Sequence, residues 1–223
     1  MNDFSRQEEL FNAEKVNFPV HIIGAGATGS WLALILAKLG IKDITVYDFD
    51  KVEEHNLPNQ FFKEDNVGSA KIQALRENIS EQTGTVIKVR NKEVKKGNAD
   101  LKGFVFVLTD TMHSRKEIFE SLLEGNKDVL RVVETRMGLT HGRVYFINPN
   151  NEKQVERYKE NFYSDEEAEV SFCGTSQSVV TTAIGIAQLA VWKLIKYVNE
   201  DFDALSNEVL IDYTYLTVIK TDF

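Results

Sequence analysis

"HIIGAGATGSWLALILAKLG", residues 21–40, decides the fold. An apolar run enters a loop carrying Gly24, Gly26 and Gly29, and an apolar segment of helical character follows from Ser30 to Leu39. Between a strand and a helix, this G-x-G-x-x-G spacing cradles a dinucleotide. Gly24 permits the tight turn, Gly26 lets phosphates approach the backbone, and Gly29 lets the helix pack on the strand. The helix N-terminus offers free N–H groups and the positive end of its dipole to an anion. Gly40 is a natural helix stop. The spacing alone serves NAD as well as ATP.

Working outward, strands and helices alternate. "PVHII" (19–23) and "DITVYD" (43–48) read as strands, and Asp48 ends the second where a carboxylate would accept hydrogen bonds from ribose hydroxyls. Gly68 to Ser80 has helical spacing, with Ala70, Ile72, Ala74, Leu75 and Ile79 on one face. "TVIKVR" (85–90) alternates like a strand. "FVFVLT" (104–109) is apolar on both faces, which predicts a central strand covered by helices. A helix over 114–125, strands over 129–134 and 142–147, and a long helix over 179–198 follow. Residues 150–169 are polar and aperiodic, which suggests an exposed loop or a frayed helix. "EVLIDYTYLTVIKTDF" (208–223) closes the chain with two short strands. The expected fold is α/β: a Rossmann-like doubly wound sheet, parallel in the first half, with antiparallel strands in the second.

Composition narrows the function classes. Hydrophobic residues make up 43% of the 223, enough for one ordinary core. A net charge of -8 disfavours nonspecific nucleic-acid binding, which needs a basic surface. The single cysteine, Cys173, excludes an intrachain disulfide and a paired-cysteine zinc knuckle. One thiol, no signal peptide and no apolar run of membrane-spanning length lead to the expectation of a cytoplasmic protein away from membranes. The four histidines, His21, His55, His113 and His141, show no metal-ligand spacing.

The tie between NAD and ATP is broken by "YDFDKVEEHNLPNQFF" (47–62), which has more polar side chains past the second strand than a redox domain needs. This string resembles the D-x-D-x-V-x-x-x-N-L-x-x-Q segment of the ThiF/MoeB/HesA family, adenylating enzymes related to ubiquitin activators. "NVGSAKIQAL" (66–75) resembles the family's V-G-x-x-K helix start. "VLTDTMHSR" (107–115) resembles its strand ending in Asp-Asn, followed by an arginine that opens the next helix. "CGTSQSVVTTAIGIAQLAVWKLIK" (173–196) resembles its final helix.

The resemblance implies a single adenylation domain over residues 1–223, with an N-terminal arm at 1–18 and a crossover loop at 150–172. It implies ATP held by Gly24, Gly26 and Gly29 at the phosphates, with Asp48 at the ribose. Asp50, Asn56 and Gln60 complete the nucleotide site. Lys71 would contact the phosphates and Asp110 would hold Mg²⁺, which commonly takes one or two carboxylates and fills its shell with phosphate and water. Together they neutralise charge as a carboxylate attacks the α-phosphorus. The implied acceptor is the C-terminal carboxylate of a small ubiquitin-like or sulfur-carrier protein, and the implied assembly is a homodimer. In that dimer Arg6 is a candidate for an arginine supplied across subunits. Cys173, just before a helix N-terminus, resembles the cysteine that some sulfur-transfer members link covalently to their partner.

Three departures from the pattern stand out. Asn59 replaces the arginine of the family's N-L-x-R-Q, and an amide does not replace a guanidinium at a phosphate. Thr111 replaces the usual Asn. The four zinc cysteines are absent, so no zinc is expected. Three alternatives stay open at this stage: ATP-dependent activation of a tRNA base, a nucleotide-binding module of the same fold with impaired catalysis, and a nicotinamide-dependent oxidoreductase.

Overall fold

In the computed structural model of the chain, residues 3–164 and 179–223 are described. The chain builds one eight-stranded sheet. Its strands are β1 (Val20–Ile23), β2 (Ile44–Asp48), β3 (Lys88–Asn91), β4 (Gly103–Val107), β5 (Val129–Met137), β6 (His141–Ile147), β7 (Glu208–Asp212) and β8 (Thr217–Thr221). The spatial order is β3-β2-β1-β4-β5-β6-β7-β8. Pairings from β3 across to β5 are parallel. Those from β5 to β8 are antiparallel. The expected change of character between the halves therefore falls at β5.

Among the described residues, five α-helices cover the sheet: α1 (Ala27–Lys38), α2 (Lys71–Thr83), α3 (Met112–Ile118), α4 (Glu152–Lys159) and α5 (Val180–Val198). A π-helical turn, Phe119–Leu123, extends α3. On one face Val20, Ile22, Ile44 and Val46 pack with Leu32, Leu36, Ile72, Leu75, Ile186 and Leu194 of α1, α2 and α5. On the other, Ile23, Val105, Val107 and Tyr145 pack with Ile118, Val155 and Tyr158 of α3 and α4. β4 is buried at every residue, as its apolar run predicts for a central strand.

The structure makes one expectation more definite. Part of the stretch at 150–169, read as an exposed loop or a frayed helix, is the regular helix α4, begun by Asn151, whose side chain accepts from the backbone N–H of Gln154 at 3.2 Å. Its polar surface hides the period, but Val155 and Tyr158, three apart, anchor it. The apolar length of α5 is largely used within the chain. Thr182, Ala183, Ile186, Ala187, Ala190, Val191, Leu194 and Ile195 are buried, and Trp192 packs half-buried on the same core. Cys173 and its neighbours lie outside the described residues.

Candidate functional site

The glycine loop shows three distinct uses of a missing side chain. Gly24 has φ +103°, and a Cβ there would lie 2.6 Å from the Leu108 carbonyl oxygen. A Cβ on Gly29 would lie 1.9 Å from the Gly24 carbonyl oxygen, so α1 sits directly on the turn. Gly26 is different: a Cβ there would meet nothing within 4 Å. Its bare backbone opens outward at the start of α1, as approach by a phosphate requires.

Asp48 ties the end of β2 to this loop. One carboxylate oxygen accepts the Ala25 N–H at 2.7 Å, and the other accepts the Asp50 N–H at 2.8 Å. Each oxygen keeps a second lone pair for a hydroxyl donor. Asp50 in turn pairs with Lys71: the Nζ–Oδ2 distance is 2.9 Å, and the Lys71 side chain is only 10% exposed. The backbone repeats the link, with the Lys71 N–H donating to the Asp50 carbonyl at 2.9 Å. Asp50 is thus the partner that holds a nearly buried ammonium at the start of α2.

The segment after Asp50 is folded onto α1. Asn56 is buried and closes a one-turn helix by accepting the Glu53 N–H at 3.0 Å. Ser30 Oγ accepts the Phe61 N–H at 3.0 Å, and the Trp31 indole donates to the Asn59 carbonyl at 3.0 Å. Between them, Gln60 has a buried side-chain oxygen, Oε1, with no hydrogen-bond partner. Leaving a buried acceptor unsatisfied costs on the order of 1–3 kcal/mol, so such an atom points to a donor that arrives with a ligand.

The loop after β4 supplies the far wall. It starts at Leu108, whose carbonyl packs against Gly24. Thr109 Oγ1 is buried without a partner. Asp110 is exposed and makes no hydrogen bond or ion pair among the described residues. Thr111, not Asp110, caps α3, accepting the Ser114 N–H at 3.2 Å. Asp110 therefore does not cap α3, and its carboxylate remains available for a cation. Among the described residues no three His, Cys, Asp or Glu side chains cluster to hold a metal by themselves. The donor set fits a cation that arrives with phosphates, with Asp110 as its protein carboxylate.

Arg6 is not brought to this site. Gln7, next to it, donates its side-chain amide to the Leu39 carbonyl at 2.9 Å, and Phe4 packs on Gly40. The arm therefore sits at the C-terminal end of α1, roughly 18 Å of helix from Gly26 by the rise of 1.5 Å per residue.

Sequence reading missed two features. Thr109 stands inside "VLTDT"; a hydroxyl closing an otherwise apolar strand was the available signal. The second is a buried ion cluster at the end of β5. Glu134 is fully buried, 3.2 Å from Arg115 Nε and 3.0 Å from an Arg136 guanidinium nitrogen. Tyr158 donates its hydroxyl to Glu134 at 3.0 Å. Arg136 also donates to the Asn161 carbonyl at 2.6 Å and lies over the Tyr145 and Tyr163 rings. Burial disfavours charge on Arg136, but attraction to Glu134, aided by the neighbouring tyrosines, outweighs it and raises its pKa. Burial pushes the Tyr145 hydroxyl up to about 12. Glu134 lies beside Val107 in the β4–β5 ladder, so this cluster stands one strand from the Asp110 loop. A charged Glu between arginines in "RVVETRM" was the signal.

The ThiF family sequence profile matches residues 5–220. The chain belongs to the ThiF family. Curated relatives match it over limited stretches. "Ubiquitin-like modifier-activating enzyme 5" of Arabidopsis thaliana is 36% identical over 77 residues, covering 34% of this chain and 18% of its own length. "Adenylyltransferase and sulfurtransferase MOCS3" of Caenorhabditis briggsae is 35% identical over 85 residues, covering 37% of this chain and 21% of its own. The chain thus spans only about a fifth of either relative. Among solved structures, E. coli MccB with AMPCPP and selenomethionyl MccA superposes with a TM-score of 0.70 at 15% identity. That match covers 94% of this chain and 65% of MccB, and at such identity it establishes the shared ThiF-type fold.

Proposed function

We propose that this ThiF-family chain binds MgATP at the glycine loop and transfers AMP to a carboxylate. The acceptor we favour is the C-terminus of a small ubiquitin-like or sulfur-carrier protein. The observation that carries the reading is the combination of an open Gly26 backbone, an almost buried Lys71 ammonium and an exposed Asp110 with no partner among the described residues, in segments that follow β1, β2 and β4. Dinucleotide redox chemistry has no task for that cation and that carboxylate. Family membership and the activities named for the partial relatives support the same reading.

In this scheme Gly26 and the first N–H groups of α1 receive the phosphates, and Asp48 receives the ribose hydroxyls. Gln60 Oε1 and Thr109 Oγ1 gain the partners they lack. Lys71, held in place by Asp50, turns from that carboxylate to a phosphate or is shared by both. Asp110 would hold Mg²⁺, which would supply charge neutralisation on the phosphates. The acceptor carboxylate oxygen bonds to the α-phosphorus, the bond from that phosphorus to the bridging oxygen breaks, and pyrophosphate leaves with the electron pair. The product is a mixed carboxylic–phosphoric anhydride. The cation missing at Asn59 would then come from elsewhere, and Arg6 of a second copy is the candidate in a two-fold dimer.

Thermal denaturation tests the nucleotide. MgATP should raise the melting temperature well above the effect of NAD at equal concentration, because only a ligand of the native state stabilises it. Stabilisation by NAD alone would overturn the reading. Pyrophosphate exchange into ATP, dependent on an added carrier with a free C-terminal carboxylate, tests the acceptor.

A further inference from the structure

A parallel crossover normally lays a helix over the sheet. The connection from β3 to β4, residues 92–102, has only bends and a turn. Its Val94 and Leu101 reach the core beside Ile23 and Tyr47. Next to them, on the face of β1, β2 and β3 turned away from α1, lies a cavity of about 500 Å³. Its lining runs along that face from Pro19, Asp43, Lys88 and Lys102 at the beginnings of the strands to Tyr47, Arg90 and Lys92 near the ends of β2 and β3. No residue of the glycine loop lines it, so the two sites are separate.

The cavity floor is built and polar. His21, Thr45 and Tyr47 line it, with exposures of 5%, 6% and 5%. His21 Nδ1 lies 3.2 Å from the Tyr47 hydroxyl, and its other ring nitrogen, Nε2, is buried with no hydrogen-bond partner. Burial lowers the His21 pKa and raises that of Tyr47, so both side chains are neutral hydrogen-bonding groups near neutral pH. A floor of this kind suits hydroxyls and offers little to an apolar ligand.

The rim is cationic in a chain whose net charge is -8. Four cations, Lys88, Arg90, Lys92 and Lys102, face two carboxylates, Asp43 and Asp100, a local excess of two positive charges. Lys88 pairs with Asp43 at 2.7 Å and Lys102 with Asp100 at 3.1 Å. Among the described residues, Arg90 and Lys92 have no carboxylate partner. Arg90 donates one guanidinium N–H to the Val89 carbonyl at 3.1 Å, and Lys92 donates to the Asn98 carbonyl. Two uncompensated cations match one phosphate monoester, which carries nearly two negative charges at pH 7. The volume lies within the range of about 300–1,000 Å³ of small-molecule sites and exceeds what a bare phosphate fills.

We propose that this cavity binds a small hydroxylated phosphate monoester, with the phosphate at Arg90 and Lys92 and the hydroxyls at His21, Thr45 and Tyr47. The fixed fork of Arg90 suits phosphate oxygens, and the floor supplies the donors and acceptors that a sugar presents.

Glucose 6-phosphate is a suitable probe, and the histidine ring resonances of the full chain, isotopically labelled, are the readout. The four histidines give few signals, and His21→Gln assigns the one of interest. Glucose 6-phosphate should shift the His21 signal saturably. Glucose at the same concentration should leave it in place, and inorganic phosphate should bind at least several-fold more weakly. The exposed double substitution Arg90→Gln, Lys92→Gln should weaken the probe by roughly tenfold or more, since charge-assisted contacts are lost. An unmoved His21 signal at saturating probe overturns the proposal, as does equal binding by the double variant. Equal binding of inorganic phosphate overturns the assignment of the hydroxyl subsite.

Discussion

Strands β1, β2 and β4 are parallel and buried almost throughout, whereas β7 grades to half-buried and β8 is exposed at every residue. The difference follows from connection. Parallel strands need crossovers, and these put the loops after β1, β2 and β4, with Gly26, Asp48 and Asp110, at the C-terminal ends of neighbouring strands. In the antiparallel part, short turns join β5 to β6 and β7 to β8, and β8 is left as an open edge. Polar groups accordingly play different parts. On the parallel side, Gln60 Oε1, Thr109 Oγ1 and the Asp110 carboxylate lack partners among the described residues. At the seam with the antiparallel side, Glu134 is enclosed by Arg115, Arg136 and Tyr158 and has no capacity to spare. The carboxylate at the candidate site is exposed and open to a ligand, whereas the carboxylate at the seam is buried and fully engaged.

The sharpest way to break this contrast is to damage the seam. Glu134→Gln would leave two nearly buried guanidiniums without their anion. Removing one partner of a buried ion cluster costs about 3–5 kcal/mol. Urea denaturation should show a loss of that size. A loss below about 1 kcal/mol would mean that the cluster is solvated and that its charges are not structural.

Within the site, the glycines should separate. Gly29→Ala forces a Cβ into a backbone carbonyl that cannot swing aside, so a loss of about 3 kcal/mol is expected, at the upper end for overpacking. Gly26→Ala meets open space, so stability should stay within about 0.5 kcal/mol while nucleotide binding weakens. Melting curves with and without MgATP measure both. Equal destabilisation by the two substitutions would remove the claim that Gly26 faces a ligand.

The smallest effect concerns the loop after β4. Thr111→Ala should lose about 1 kcal/mol of stability, as for other N-caps, and Asp110→Ala almost none. Turnover should respond in the opposite order, with Asp110→Ala abolishing AMP transfer and Thr111→Ala sparing most of it. Chemical denaturation and a pyrophosphate-release assay on the same pair of variants check this. Full turnover in Asp110→Ala would take that carboxylate out of the chemistry.

Sequence by itself determined the glycine loop, the strand and helix order and the α/β class, because each rests on short-range spacing. Gly24 and Gly29 leave a local trace: the conformations and close approaches they allow lie within a few residues. Asp48, Lys71 and Asp110 were singled out by their motifs, but what surrounds them was not legible there. Only the tertiary structure paired Lys71 with Asp50, left Gln60 and Thr109 unsatisfied, and gave the α3 cap to Thr111. It also placed Arg6 at the far end of α1, used the apolar length of α5 within the chain, and packed α4 down through Tyr158. The Arg115–Glu134–Arg136 cluster joins side chains from α3 and β5 whose meeting no local period announces. Burial and partner choice depend on which segments cross in space, and local spacing constrains only neighbours a few residues apart.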